Sequence, residues 1–509
     1  MRTKRTLLNL FYSLGSSVIV LLLGLVTRRL LVFRFGNDIT TASQVVEQLF
    51  NFFSIAEFGV GSVISYRLYE QIAANNTEKI SKYMSMYKWA YRAVGVVICL
   101  LSGVGALALP WIMPGVADLR AAYTVYALNA LSTLSSYFLI TRRLMYTCTQ
   151  QGYVCTRIDL GFTIATYLAR IAVALYAPYY VLYFGVNIVC NTAANLVIAA
   201  RYKRDFPAVR EVPVRLEDFR ELGIFHDLKY YLVHKLSNTI YGSSDTIVTS
   251  RLGGSALTAN LGNYTTIAGS ATNIGNKIMD SFSAAIGNIV YDSTAARNDH
   301  DKAVFRGLDL FSYLFGSFVA TAYFCLFQPF MTLWMGTDRL LPVGFLLAFC
   351  LNEYVGWNHR MLGSYRAVLG HFEQDQRFMV ASAAVNLALS FVLFPAMGIA
   401  GVLTATVVAH CIMWAGRVRV VFTQYLPGGC GRYLRVQAVH LATLALCMGA
   451  TQAVCGLLPQ GVLGLLGRAV VVVVLPNAIN LLCYVWTSDA AYLRERAASL
   501  GQALRRKRG

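Results

Sequence analysis

Charged residues are scarce in this sequence, and acidic residues are the scarcest of them. Only 14% of the 509 residues are charged, against about a quarter in soluble globular proteins. With 56% hydrophobic residues, this excludes a soluble globular protein and indicates a polytopic membrane protein. The 44 Lys and Arg against 25 Asp and Glu give a net charge of +19. Basic loops next to anionic lipid head groups explain that excess, so nucleic acid is not an expected partner.

Catalytic and metal-binding motifs are also missing from the sequence. The 11 cysteines are scattered through apolar stretches without a C-x-x-C pair, and no histidine spacing suits zinc. We find no nucleophile and base constellation and no phosphate-binding loop. A membrane polymerase or ligase for glycans would need a large outer loop, but none exceeds roughly 15 residues. We therefore expect neither an enzyme nor a bound cofactor, with coupling to H+ or Na+ left open.

Long apolar stretches, in contrast, are abundant. Fourteen of them can cross a hydrocarbon core of about 30 Å, and we number them spans 1 to 14. They lie at 8–33, 44–66, 85–109, 120–140, 159–177, 181–200, 229–250, 261–285, 304–327, 341–364, 376–394, 398–416, 434–457 and 462–484. Lys and Arg are concentrated in alternate loops and at both ends, which places both termini in the cytoplasm. The sequence thus predicts an all-α membrane protein with 14 transmembrane helices.

A polar linker and a short repeat divide these spans into two lobes. The segment 201–228 separates six spans from eight, and Leu216, Phe219 and Leu222 in it have the spacing of an amphipathic surface helix. Nine-residue segments starting at Arg34 and Arg251 share Arg, Gly, Thr and Ala at an offset of 217 residues. The predicted domains are an N-lobe at 1–200, the linker at 201–228, a C-lobe of six spans at 229–416, spans 13 and 14 within 417–484, and a basic cytoplasmic tail at 485–509.

Glu57 is an acidic residue near the centre of span 2. On a single helix from Gln44 to Ser65, it shares one half of the circumference with the other polar residues. A carboxylate near the bilayer midplane costs on the order of 3 kcal/mol if it faces lipid, so it should face an aqueous cavity or a helix interior. Two interpretations remain open, a functional group in a cavity and a paired glutamate that only fastens helices together.

Polar stripes on spans 1, 7 and 8 suggest that the same cavity contains fixed cations. Arginine and lysine suit phosphate, and amides and hydroxyls suit sugars, so the cavity fits an anionic head group with many hydroxyls. Arg28 and Lys235 lie near span ends and could instead extend to the membrane surface. The candidate substrate-binding residues are Arg28, Arg170, Lys235, Lys277, Arg360, Asn51 and Asn273, and the candidate gating or coupling acids are Glu57, Asp245, Asp280 and Glu353.

Several short motifs in the first hundred residues carry a family resemblance. They are the run from Leu7-Leu8-Asn9 to Arg28, Phe33-Arg34-Phe35-Gly36, Ile55-Ala56-Glu57-Phe58-Gly59-Val60-Gly61, Tyr66-Arg67-Leu68-Tyr69-Glu70 and Tyr87-Lys88-Trp89-Ala90-Tyr91-Arg92. This region resembles Wzx-type polysaccharide flippases of the MOP transporter superfamily, and those of Gram-positive bacteria most closely.

The resemblance implies a transporter of the bacterial cytoplasmic membrane. It would export undecaprenyl-pyrophosphate-linked oligosaccharides by alternating access between two lobes, with spans 1, 2, 7 and 8 along the path and Arg28 and Glu57 in the cavity. The implied partners are the lipid-linked oligosaccharide, membrane lipids, a polysaccharide polymerase and glycosyltransferases.

Two other transporters of the same fold are alternatives. A lipid II flippase would also have 14 helices and a cationic cavity, so only substrate assays separate it from the polysaccharide flippase. A MATE-like multidrug or cation antiporter would have an acidic or apolar cavity, and the excess of embedded bases argues against it.

Overall fold

The computed structural model describes residues 2–57, 59–221, 224–291, 297–369 and 374–495, and within these ranges it contains helices and no β-strand. The α-helices are α1 (Arg2–Phe53), α2 (Val60–Ala73), α3 (Thr77–Ile112), α4 (Leu119–Leu139), α5 (Arg143–Cys148), α6 (Gly152–Tyr176), α7 (Tyr180–Asp205), α8 (Leu216–Glu221), α9 (Ile224–Tyr291), α10 (Arg297–Met335), α11 (Val343–Asn358), α12 (Arg360–Leu369), α13 (Gln376–Met397), α14 (Ile399–Gln424), α15 (Cys430–Gly456) and α16 (Val462–Tyr484). Short 3-10 helices lie at Ser54–Glu57, Ile140–Arg142 and Thr337–Arg339. The predicted all-α class is therefore confirmed for the described residues.

Nine helical segments in the described ranges are long and apolar enough to cross a membrane. They are the apolar part of α1 together with α3, α6, α7, α10 and α13 to α16. Spans 2, 4, 7, 8 and 10 have no segment of their own among them. Span 2 is divided between the end of α1 and the 14-residue α2, polar residues interrupt α4 and α9, and α11 has only 16 residues. The count of fourteen spans remains a prediction.

The chain divides into two compact units, Met1–Ile274 and Gly275–Gly509. This division does not fall at the predicted linker, because span 7 and the first part of span 8, both on α9, belong to the first unit. Hydrogen bonds that α1 donates to this part of α9 account for the grouping. The assignment of spans 7 to 12 to one C-lobe stays a prediction.

Two glycines bend the long helices α1 and α9 in the same way. Gly36 has φ 81° and ψ −179°, and Gly254 has φ 75° and ψ −175°, a backbone region that essentially only glycine adopts. Four residues later, the Thr40 and Thr258 hydroxyls donate to the carbonyls of these glycines at 2.7 and 2.8 Å. The structural repeat thus pairs Gly36 with Gly254, so the sequence alignment with Gly253 was wrong by one residue.

Two apolar clusters form the core of the first unit and meet at span 2. One cluster contains Val45 and Ala56 with parts of α3, α4 and α7, and the other contains Val60 and Ile64 with parts of α3, α5 and α7. The chain passes from the first cluster to the second between Ala56 and Val60. Glu57 therefore lies at the junction of two packed bodies.

The linker between spans 6 and 7 is bound to α3 rather than free. The backbone amides of Arg210 and Val212 donate to the hydroxyls of Ser81 and Ser85 at 3.1 and 3.0 Å. The Phe219 side chain of α8 is buried in the second apolar cluster, 5.5 Å from the ring of Trp89. The linker up to Glu221 is thus part of the first unit.

Two ion pairs add to this attachment, Lys88 with Glu211 and Lys82 with Asp218, the latter at 2.7 Å. The hydrogen bond from Lys88 holds the pKa of the Glu211 carboxyl below its usual value. The hydrogen bond from Lys82, followed by that from the Arg215 amide, does the same for the pKa of Asp218. Because both pKa values are lowered in the folded state, their stabilising contribution exists above the ordinary carboxyl pKa of about 4 and is lost as the pH falls through the lowered values.

We predict that the double variant Ser81→Ala and Ser85→Ala speeds hydrogen exchange of the Arg210 and Val212 amides roughly fivefold or more, since each lost bond is worth about 1 kcal/mol. Mass spectrometry of the linker peptides measures this exchange. Thr124→Ala, which removes an exposed hydroxyl bonded only to its own helix, is the control. Acidification below about pH 4 should loosen the wild-type linker as well, after correction for intrinsic exchange rates. Equal exchange in the double variant and the control would show that the serines do not hold the linker.

Candidate functional site

Span 2 is interrupted at its acidic residue. The chain forms a 3-10 helix at Ser54–Glu57, Gly59 adopts a left-handed conformation with φ 72° and ψ 14°, and α2 starts at Val60. The prediction of one continuous helix from Gln44 to Ser65 was therefore wrong. The break follows from Gly59, which takes a conformation that is strained for other residues. Unwinding frees backbone carbonyls in the middle of a span, as in the discontinuous helices of transporters.

Glu57 has two partners from other helices. The Lys235 ammonium lies 2.9 Å from Oε2 of Glu57 and also donates to the backbone carbonyl of Ser54 at 2.5 Å. The Tyr137 hydroxyl donates to Oε1 of Glu57 at 2.7 Å. The Glu57 and Lys235 side chains are 31% and 19% exposed, which is enough for contact with water. Lys235 therefore points into the protein at this carboxylate and does not extend to the membrane surface.

A polar cavity of about 320 Å³ opens beside Glu57 in the first unit. Tyr137 and Tyr91 form one wall with their rings stacked 6.0 Å apart. The remaining wall is formed by α4 and α7 and consists mostly of amides and hydroxyls, namely Asn129, Ser132, Thr133, Ser136, Ile140, Asn187 and Asn191. The cavity can offer hydrogen bonds of both directions to a neutral polyhydroxylated ligand.

A second cavity of about 320 Å³ continues from the first, sharing Ser136, Asn187 and Asn191 with it. Arg143 lines this second cavity. It donates two hydrogen bonds to the Asp159 carboxylate, at 2.5 and 2.8 Å, and further hydrogen bonds to Asn195. Sequence reasoning missed these residues, although Asn187, Asn191 and Asn195 follow one another at four-residue spacing on α7. That spacing puts three amides on one helical face and was the available signal.

Arg28 lies on α1, eight residues before the bend at Gly36, and is buried against α9. Only 8% of the residue is exposed, and it donates to Oδ1 of Asn263 at 2.9 Å and to the Ala259 carbonyl at 2.8 Å. These bonds show that Arg28 also points into the protein. Arg28 and Arg170 are both close enough to Glu47 on α1 for their charges to act on its carboxyl group.

Further hydrogen bonds join α1 to α9 along their length. Nδ2 of Asn51 donates to the Ser243 hydroxyl at 3.2 Å, and the Thr41 hydroxyl donates to the Ser255 carbonyl at 2.7 Å. We call the contacts of Arg28, Thr41, Asn51 and Glu57 with α9 the α1/α9 seam. The seam connects spans 1 and 2 to spans 7 and 8, the four helices that the sequence predicts as the transport path.

The other predicted site residues are distributed over both units. Arg170 stacks on Tyr183 with its guanidinium carbon 5.0 Å from the ring centre. In the first unit, Asp245 is half-buried and Asn273 is exposed on α9. In the second unit, the Arg360 guanidinium lies 4.8 Å from the Trp357 ring, and Glu353 is half-buried on α11. The side chains of Lys277 and Asp280 lie outside the part of the chain that the structure describes.

Comparison with known proteins gives similarity in structure and none in sequence. No protein-family model and no curated protein matches the chain by sequence. The structure is similar to the lipid II flippase MurJ in an inward-closed conformation, with a TM-score of 0.69 and 13% identity over 92% of this chain and 98% of that chain. It is also similar to a multidrug resistance MATE family transporter of the MOP superfamily in an inward-facing conformation, with a TM-score of 0.58 and 15% identity over 79% of this chain and 94% of that one. A MATE transporter of Vibrio cholerae gives a TM-score of 0.51 at 13% identity, over 81% of this chain and 98% of that one.

At these identities the similarity establishes the fold alone, which the chain shares with the lipid II flippase and the two MATE transporters. Together with its apolar helices, the fold makes the chain a multi-pass membrane protein. These neighbours are transporters and a flippase rather than enzymes.

We predict that exchanging the two charges, in the double variant Glu57→Lys and Lys235→Glu, recovers much of the stability that each single variant loses. Each single variant brings two like charges together at a site that is only partly exposed, whereas the double variant restores an opposite pair. A double-mutant cycle from thermal unfolding in detergent should give a coupling energy of about 1–3 kcal/mol.

The same exchange of Lys82 and Asp218 is the matched control, because that ion pair lies at the protein surface. Its coupling should be clearly smaller. Coupling of Glu57 and Lys235 no larger than that of the control pair would show that their interaction is no stronger than a surface ion pair.

Proposed function

We propose that this protein is a flippase that moves undecaprenyl-pyrophosphate-linked oligosaccharides across the bacterial cytoplasmic membrane by alternating access, for cell-surface polysaccharide biosynthesis. The MOP transporter fold supports transport. The observation that carries the substrate class is that the Glu57 and Lys235 ion pair borders a cavity lined with amides and hydroxyls. A cation next to neutral hydrogen-bonding groups matches a pyrophosphate next to a sugar.

Lys235 is the proposed pyrophosphate ligand at this site. Its ammonium already binds one carboxylate and one carbonyl, so it is positioned to exchange the carboxylate for a substrate phosphate. A pyrophosphate carries more charge than a carboxylate and makes strong charge-assisted bonds with lysine. Arg28 and Arg170 are further basic groups on the same unit. The sugars would then occupy the cavity between α4 and α7, and the polyprenyl chain would stay in the lipid.

Alternating access requires the α1/α9 seam to open and close. Arg28 and Thr41 hold it at the end near the two bent glycines, whereas Asn51 and Glu57 hold it on the opposite side of the same helices. With both termini in the cytoplasm, the glycine end faces outward. Substrate that displaces Glu57 from Lys235 would weaken the inner half of the seam while leaving the outer half intact. Substrate binding would therefore favour opening of the seam on its inner side.

A lipid II flippase is the second candidate function. The similarity to MurJ extends over 92% of the chain, which favours this candidate over a MATE-like antiporter. Lipid II presents the same pyrophosphate and an amino sugar, so the cavity chemistry alone does not separate the two. A MATE-like cation antiporter fits less well, because a lysine already pairs with the central acid of this site. Proposed partners of the exporter are the polysaccharide polymerase and the glycosyltransferases of the same pathway.

The substrate is tested by reconstitution of the purified protein in vesicles with three separate substrates, namely undecaprenyl-pyrophosphate-linked oligosaccharide, lipid II and a cationic dye. The oligosaccharide should be flipped, whereas the dye should not be transported. In cells, deletion of the gene should cause a lipid-linked glycan to accumulate at the inner leaflet. Flipping of lipid II alone would establish the second candidate, and dye transport alone would contradict both flippase functions.

We predict that Glu57→Gln lowers flipping at least tenfold while the fold is retained. Glutamine keeps the size and can hydrogen-bond Tyr137, but it neither pairs with Lys235 as a charge nor exchanges a proton. Glu78→Gln, the same change at an exposed position on α3, is the control and should flip at the wild-type rate. Wild-type flipping by Glu57→Gln at all pH values would leave Glu57 with only a structural role.

A further inference from the structure

The second unit contains a buried acid, Asp309, that the proposed transport contacts do not use. It lies on α10 and is only 4% exposed. One of its oxygens, Oδ2, accepts a hydrogen bond from Nε2 of Gln437 at 2.9 Å. The other oxygen, Oδ1, is buried without a hydrogen-bond partner among the residues that the structure describes. A carboxylate with one unsatisfied oxygen is an unstable arrangement in a membrane interior, so this oxygen needs a ligand.

A directed chain of amides leads to Asp309. Nδ2 of Asn358 on α11 donates to Oε1 of Gln437 on α15 at 2.5 Å, and Gln437 in turn donates to Asp309. Asn358 and Gln437 are 6% and 5% exposed, so water does not compete for these bonds. The chain fixes the Asp309 carboxyl group and leaves Oδ1 as the oxygen that can change its state.

Asp309 lines a cavity of about 100 Å³, which is large enough for several water molecules. Its walls are mostly apolar and include Phe305, Phe422 and Leu426. At its mouth, the Asp489 carboxylate lies 2.9 Å from Arg432 and 3.7 Å from Arg306. The Arg432 side chain is 51% exposed, which places the mouth at the protein surface. Through these two arginines, Asp489 joins α10 to α15. It does so at the mouth of the cavity that Asp309 lines.

The ligand that fits Oδ1 is a proton. A bound Na+ or other hard cation needs several oxygen ligands, whereas the Asp309 cavity offers mainly aromatic and aliphatic walls. A proton needs one oxygen and a few water molecules. We propose that Asp309 is a proton-binding site that loads and releases its proton through this cavity.

Other charged and titratable groups face Asp309 from each element packed around it. Lys302 and Arg306 on α10, Arg432, Tyr433 and His440 on α15, and Asp489 line the cavity with Asp309, and Tyr354 on α11 lies within electrostatic range. Behind Tyr354, the rings of Tyr313 and Tyr484 continue the packing. The three bases favour the ionised carboxylate and Asp489 opposes it. Burial favours the neutral acid. Because these effects oppose each other, the protonation state of Asp309 can respond to the pH at the mouth of the cavity.

The loading step is balanced in atoms and charge. A hydronium ion in the cavity gives its proton to Oδ1, a water molecule remains, and Asp309 becomes neutral. Gln437 keeps donating to Oδ2, so no other bond changes. Release is the reverse step. Coupling of this proton to transport rests on the function proposed above, whereas proton binding itself does not.

Infrared difference spectroscopy of the purified protein in detergent tests the proton site without any transport assay. Lowering the pH from alkaline values should produce the carbonyl band of a protonated carboxyl group well above pH 5, where exposed carboxyls with a pKa of about 4 remain ionised. The band should be lost in Asp309→Asn and retained in Asp338→Asn, a matched change at an exposed position of the second unit. Asp309→Glu should keep a titrating band at a changed frequency, which covers the case that Asp309→Asn does not fold.

Two results would overturn the proposal. If Asp309→Asn leaves all titrating bands in place, or if the Asp309 band persists to the alkaline limit, the residue does not exchange a proton. If the band titrates as expected, the remaining question is whether this proton is coupled to transport. Flipping is then measured with an imposed pH gradient. Loss of gradient dependence in Asp309→Asn with the basal rate retained would couple this proton to transport. Flipping of no substrate by the wild type would instead contradict the proposed function and leave the proton site standing.

Discussion

A charge inside an apolar span must find an opposite charge or reach water, and this constraint explains the centre of the first unit. Glu57 and Lys235 lie on different spans, and each would be costly alone in a bilayer. The chain meets the constraint by unwinding span 2 before Gly59, so that the Ser54 carbonyl and the Glu57 carboxylate both accept from one lysine. The ion pair draws α9 against α1, which is why contacts place spans 7 and 8 with the first unit up to Ile274. The polar cavity between α4 and α7 then borders the pair.

The same constraint has a different outcome in the second unit. Asp309 has no lysine or arginine within salt-bridge distance among the described residues, and one amide bond satisfies only one of its oxygens. We propose that a proton, delivered by water in the Asp309 cavity, neutralises the carboxyl group in these surroundings. The first unit thus pairs Glu57 with a fixed cation, Lys235. In the second unit, the proposed partner of Asp309 is an exchangeable proton. In the proposed transport, the first site would hold the substrate and the second would respond to a proton gradient.

Much of the architecture could be predicted from the sequence, because hydropathy and loop charge are properties of local composition. The helical class and the polar faces carrying Arg28, Asn51 and Glu57 follow from spacing alone. The break in span 2 could not be predicted in this way, since Ser54 to Glu57 keep a helical period and contain no proline. Its cause is the conformation of Gly59, which packing decides. The repeat was misaligned by one residue because two adjacent glycines, Gly253 and Gly254, offer equal matches, and only the backbone angles identify the bent one.

The pairing of Lys235 with Glu57 depends on how two distant helices meet, which spacing does not encode. The amide row on α7 is visible in the sequence, but uncharged amides contrast less with an apolar span than charged side chains do.

The central claim is that the α1/α9 seam must open during transport. It is tested most directly with the variant Asn51→Cys and Ser243→Cys, in a background without the 11 native cysteines. The two native side chains are hydrogen-bonded at 3.2 Å, so the introduced thiols lie within crosslinking reach. The measurement is flipping of the lipid-linked oligosaccharide in vesicles before oxidation, after disulfide formation and after reduction. The account predicts loss of flipping with the crosslink and recovery on reduction, whereas full flipping by the crosslinked protein would contradict it.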